Sequence, residues 1–215
     1  MQTGAFVKAL NESRMPVFTF NEALKMLQMP RAYTRLFLHR AVKNNLLGRA
    51  ERGLYYVKER SNEYEVASHM LYPSYISMVS ALRYYGLTTQ IPNTVYVLSP
   101  ERHRNLKNVM GFSITFRQIR PEMMFGYHKE ADGNIFIADP EKAIVDILYF
   151  KDVNDLDMDV LEEPPRIDVD KLIGYAEKSR DRKVITGVLD LLSGYRYRKQ
   201  AKKLVACARE GGFYD

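Results

Sequence analysis

The stretch NNLLGRAERGLYYVK, residues 44–58, limits what this chain can fold into more than any other. A polar helix end runs into Leu46, Leu47 and Gly48, and Gly53 then opens the β-prone run Leu54-Tyr55-Tyr56-Val57. Between the two glycines lies a charged tip, Arg49-Ala50-Glu51-Arg52. The pattern predicts a small β-hairpin carrying two arginines at its end.

Helical signals precede it. Residues 3–12 have Phe6, Val7 and Leu10 on one side, and Met15-Pro16-Val17 breaks that helix. Thr19 and Glu22 have capping-box spacing, so a second helix is expected from about 20 to Gln28, burying Ala23, Leu24 and Leu27. Pro30 stops it and suits the first turn of a third helix over about 31–44. On that helix the 100° step places Tyr33, Phe37, Leu38, Ala41 and Val42 on an apolar arc. Arg35, His39 and Lys43 follow the other side at i, i+4 and i+8, with Arg31 at the N-terminal end and Arg40 nearby.

Three helices and a hairpin in this order predict a winged helix-turn-helix over residues 1–60. Its third helix would enter a major groove, and its hairpin would reach the adjacent backbone or minor groove. The DNA-binding residues expected are Arg31, Thr34, Arg35, His39, Arg40 and Lys43 on the helix, and Arg49 and Arg52 on the tip. A winged-helix module can also serve protein contacts, so a non-DNA interaction role is the competing reading.

Charge is sorted along the chain in the same sense. Residues 1–60 hold eleven Lys/Arg against four Asp/Glu, a net +7. Residues 61–178 carry −6 and residues 179–215 carry +5. The basic head points to a polyanion, and the acidic middle is expected to lie outside that contact. No apolar run is long enough for a membrane span, no signal-peptide pattern opens the chain, and Cys207 has no disulfide partner, which together suggest the cytoplasm.

After a polar linker at 58–66, residues 66–215 read as an α+β domain with a helical tail. A helix is expected over Tyr75 to Tyr85, closed by Gly86, then strands at 94–98 and 112–119. Asp132-Gly133 marks a hairpin turn before a strand at 134–138. A helix from Pro140 to Phe150, an acidic loop over 151–165, and helices at about 169–178, 183–192 and 196–210 complete the prediction. The last helix is basic through Arg196, Arg198, Lys199, Lys202 and Lys203, which suits either a solvated face or a partner surface.

The one stretch that suggests chemistry is ADPEKAIVD, 138–146. Asp139, Glu141, Lys142 and Asp146 could hold a divalent metal, as a metal-dependent nuclease requires. The simpler reading makes Asp139 an N-cap, Pro140 the first helical residue and Glu141 a first-turn acid, with Ala143, Ile144, Ile147 and Leu148 buried. His39, His69, His103 and His128 are scattered, and no glycine-rich phosphate loop is present. No catalytic site, metal or cofactor is expected.

Four segments in order, SYISMVSALRYYGL (74–87), IPNTVYVLS (91–99), FRQIRPEMMFGY (116–127) and IADPEKAIVDILYF (137–150), resemble the second domain of the AbiEi family. RGLYYV at 52–57 is similar to that family's DNA-binding domain. These are antitoxins of type IV abortive-infection toxin–antitoxin systems. The resemblance implies a repressor that binds inverted repeats in its own promoter and counteracts a co-encoded nucleotidyltransferase toxin, without requiring a stable complex with it. It also implies that the 74–87 and 138–143 motifs belong to the fold.

Overall fold

The structure, a computed structural model, describes residues 3–12, 15–88, 93–130, 135–152, 167–193 and 197. Among these the chain is mixed α+β, with eight helices, a three-stranded antiparallel sheet and a six-stranded mixed sheet. None of the described helices is long and apolar enough to cross a membrane.

Residues up to 57, the first unit, are built as the local signals dictate, and the described residues from 62 onward make up the second unit. Helix α1 (Thr3–Glu12) buries Phe6 and Leu10; the Val7 side chain lies outside what is described. Strand β1 (Val17–Thr19) follows, and α2 (Phe20–Leu27) starts at a complete capping box between Thr19 and Glu22. Ala23 and Leu27 are buried on α2, whereas Leu24 is only half-buried. Pro30 is the residue before α3 (Arg31–Lys43), not its first turn. Strands β2 (Leu47–Glu51) and β3 (Leu54–Val57) form the expected hairpin, but Arg49, Ala50 and Glu51 of the expected tip belong to β2, which leaves Arg52-Gly53 as the turn. The unexpected element is β1, which pairs antiparallel with β3 and makes the sheet order β1-β3-β2.

All four residues of β3 are buried because its two faces pack into different cores. Tyr55 and Val57 join Phe18, Leu47, Leu38 and Phe6 beneath the first three helices, with the Phe18 and Tyr55 rings stacked at 5.9 Å. Leu54 and Tyr56, with Val17, belong to the larger core of the second unit. A strand buried on both faces reads as continuous apolar sequence, as LYYV does.

The expected linker at 58–66 ends in a helix: α4 (Glu63–Ser68) begins at a capping box between Asn62 and Glu65. The helix expected to start at Tyr75 instead splits. Tyr75–Ile76 is strand β4, and α5 covers Met78–Tyr84. Strands β5 (Thr94–Ser99), β6 (Leu106–Val109), β7 (Phe112–Gln118), β8 (Tyr127–Lys129) and β9 (Phe136–Ala138) complete the large sheet, in the order β6-β7-β5-β4-β9-β8. Its parallel pairs are β5 with β7 and β4 with β9. Tyr75 and Ile76 are fully buried at the centre, so pairing on both sides overrides their helical pattern.

Helix α6 (Pro140–Phe150) packs against α5, α7 (Val169–Ser179) and α8 (Arg182–Ser193). It ends at Lys151 in the left-handed region, as expected of a helix terminus. The Asp132-Gly133 turn, most of the acidic loop, Cys207 and the basic residues Arg196, Arg198, Lys199, Lys202 and Lys203 of the expected last helix lie outside the described residues.

Candidate nucleic-acid interface

A concave cleft of about 660 Å³ opens between α3 and the hairpin. Arg31, Arg35 and His39 come to it from the helix, one per turn, and Arg49 and Arg52 from β2 and the turn after it. Its apolar lining is Phe20, Val42 and Tyr55. The Arg31 guanidinium lies over the Phe20 ring at 5.3 Å from its centroid, and Arg49 Nε donates to the Glu51 carbonyl at 3.2 Å. These contacts brace one cation on each wall.

The aim of Arg49 depends on an irregularity in the hairpin. Arg49 pairs with Tyr55 and Glu51 with Leu54, so Ala50 is an extra residue and the register slips there. In a regular strand residues two apart share a face. The bulge separates them: Arg49 goes with Tyr55 to the cleft side, and Glu51 goes with Leu54 to the second unit. Gly53, at φ +90°, takes the turn conformation that favours glycine.

The start of α3 adds to the positive field. Pro30 offers no side-chain cap, and the first turn holds no acid. Arg31 therefore sits beside first-turn N–H groups that have no acceptor within the helix. Cation next to a positive helix end is unfavourable alone and is relieved by an anion.

Five of the eight expected site residues thus meet in one place: Arg31, Arg35, His39, Arg49 and Arg52. Arg40 and Lys43 are exposed on α3 but do not line the cleft. Thr34 requires a correction. Its side chain is fully buried and its hydroxyl donates to the Met29 carbonyl at 3.3 Å, so it belongs to the packing face with Leu38 and Ala41. Of the apolar arc, Leu38 and Ala41 are buried and Phe37 and Val42 pack half-buried against the same core, whereas Tyr33 is 66% exposed and turns to solvent beside Leu36.

The acidic motif does not form a metal site. Asp139 precedes α6 but makes no side-chain cap; it accepts from Tyr175 Oη at 2.6 Å and pairs with Lys171 Nζ at 3.2 Å. His128 Nδ1 lies 2.9 Å from its other oxygen. Glu141 is in the first turn of α6, as expected, and is buried there; it accepts from the Asp168 amide and pairs with Lys171. Lys142 and Asp146 are wholly buried and paired with each other, and Asp146 also accepts from Ser77 and Tyr75. Burial pushes the Asp146 carboxyl up and the Lys142 ammonium down, against their mutual attraction. Asp139 and Glu141 thus share the Lys171 ammonium while Asp146 is held apart by Lys142, and among the described residues no group of three His, Cys, Asp or Glu is placed to hold a metal.

One junction escaped the sequence reading. Glu51 on the hairpin lies 3.3 Å from His103 Nε2 and 3.9 Å from Arg104 Nη2, both in the loop after β5. Nothing local marks residues so far apart in the chain as neighbours. Compared with protein-family models and with curated proteins, the chain finds no match.

Proposed function

We propose that this protein is a double-stranded-DNA-binding transcriptional repressor whose first unit acts as a winged helix-turn-helix. The observation that carries the reading is the convergence of Arg31, Arg35, His39, Arg49 and Arg52 on one cleft between α3 and the hairpin. A phosphodiester strand suits such a cleft: it is linear, anionic and able to satisfy the uncapped start of α3. The AbiEi-like motifs extend the proposal to autoregulation of its own operon and to antitoxin action against a co-encoded nucleotidyltransferase. That extension rests on the motifs alone.

The test is binding of the full chain to the DNA upstream of its own gene and to random duplex, titrated at several salt concentrations. Arg52→Ala is expected to weaken both duplexes alike and lower the salt slope by about one. Arg35→Ala, on the helix, is expected to cost about 1–3 kcal/mol on the upstream DNA and to narrow its advantage over random duplex. Salt-insensitive or absent binding by the wild type would sink the proposal. In that event the exposed Tyr33 and Leu36 on α3 favour the second reading, a protein-contact module. The antitoxin half is checked by co-expression with the neighbouring toxin gene, where growth arrest that this protein does not relieve rejects it.

A further inference from the structure

The division of charge along the chain assigns DNA contact to residues 1–60. We propose instead that the second unit shares it: Arg104, with Arg102 beside it, contacts the phosphate strand on the far side of the hairpin from the cleft. This rests on the DNA-binding reading above and extends the footprint of the same site.

The argument begins with the bulge at Ala50, which sends Arg49 and Glu51 to opposite faces. Glu51 reaches His103 and Arg104, so these two residues flank the hairpin on the face away from the cleft. A hairpin is thin: its strands are roughly 4.8 Å apart, and a minor groove is roughly 6 Å wide between its two phosphate strands. A hairpin tip entering that groove has one phosphate strand on each side. The cleft arginines serve one strand, and Arg104 stands where the other would run.

The loop is ordered for this. Ser99 Oγ accepts from the Glu101 amide at 3.0 Å, and the Asn105 side chain accepts from the Phe116 amide at 2.8 Å. Gln118 Oε1 accepts from Arg102 Nε at 2.8 Å, and Gln118 Nε2 donates to the Pro100 carbonyl at 3.0 Å. The His103 ring packs on Phe116 with centroids 4.3 Å apart. His103 is thereby the anchor, and the two arginines are left outward.

Arg104 is not committed to Glu51. Its side chain is 71% exposed and the pair stands at 3.9 Å, a geometry that stabilises little in water. The loop also departs from its surroundings in charge. Residues 61–178 carry −6, yet Arg102, Arg104 and Lys107 face only Glu101 within 101–107. A local cationic patch in an acidic unit, across the hairpin from a basic cleft, complements a polyanion rather than the bulk solvent.

The experiment measures affinity of the full chain for a roughly 40-base-pair mixed-sequence duplex over a series of salt concentrations. Arg104→Ala is expected to lower the slope of log affinity against log salt by about one, and Arg102→Ala with Arg104→Ala by about two. Arg104→Glu should weaken binding further. Lys183→Ala, which removes one exposed charge from α8, should leave the slope unchanged and so controls for net charge. Unaltered thermal unfolding of each variant shows that the fold is kept. If Arg104→Ala keeps the wild-type slope while Arg52→Ala lowers it, the second unit lies outside the footprint and only the cleft reading survives. If the wild type itself shows no salt-dependent binding, both fall.

Discussion

The ring of Tyr56 lies directly over Gly48 across the β2–β3 ladder, in the space a side chain at 48 would occupy. Gly48 has an ordinary backbone conformation, so room and not φ selects glycine there. Tyr56 in turn belongs to the core of the second unit. Gly48→Ala must therefore displace the ring or part the strands, next to Arg49. The expected loss is about 1–3 kcal/mol, as for other overpacked sites. Chemical denaturation of Gly48→Ala, Tyr56→Leu and the double variant checks it. Overpacking predicts that the double variant loses less than the sum of the two, and strict additivity would reject the contact as the cause.

Asp139 gives a pH dependence with a definite sign. Burial raises its carboxyl, but hydrogen bonds from Tyr175, Lys171 and His128 and the Lys171 charge outweigh this and hold it below the usual carboxylate value. Its stabilisation is therefore complete above the unfolded value, about 3.9, and is lost as the pH falls through the lower folded one. Asp139→Asn should be less stable than wild type at neutral pH, by roughly 1–3 kcal/mol for a charged acceptor. The gap should close in acid. Urea midpoints of both proteins across the acid range check this, and a gap of constant size would be inconsistent with it.

The buried pair Lys142–Asp146 predicts an asymmetry between single and paired substitution. Lys142→Met leaves a carboxylate in the core with only Ser77 and Tyr75 as donors, and should destabilise by about 3–5 kcal/mol. Adding Asp146→Asn removes the stranded charge while keeping an acceptor, and should restore part of that loss. Thermal unfolding of the three proteins decides it. A double variant less stable than Lys142→Met alone would mean that the pair contributes through packing and not through charge.

The legible parts of the fold were those written locally. The Thr19–Glu22 box, Pro140 at the start of α6 and the Gly53 turn each placed an element from a few neighbouring residues. The Asn62–Glu65 box had the same spacing and went unread because the segment around it is polar. Strands β1, β6 and β8 were missed for a different reason: each is three or four residues long and is defined by a partner strand. Tyr75–Ile76 shows the same dependence, since pairing with β5 and β9 decides between strand and helix.

The candidate site divides along the same line. The basic stripe of α3 followed from helical period alone, and the order of elements brought the tip arginines near it. Only Tyr33 departs from the expected arc, because it lies at the edge of the helix face that packs. The phase is set by Leu38 and Ala41 against the core, and a buried threonine completes that face. The junction of Glu51 with His103 and Arg104 joins segments that only the tertiary structure brings together.

A sheet buried on both faces also bears on how the molecule comes apart. Val17, Leu54 and Tyr56 are shielded from water by the second unit, while Phe18, Tyr55 and Val57 are shielded by the first three helices. Melting either unit strips one side of the same three strands. The opening of one therefore lowers the cost of opening the other, and a single cooperative transition follows in place of two independent ones. A fragment cut near residue 60 would carry a wet apolar sheet face, with aggregation as its natural fate.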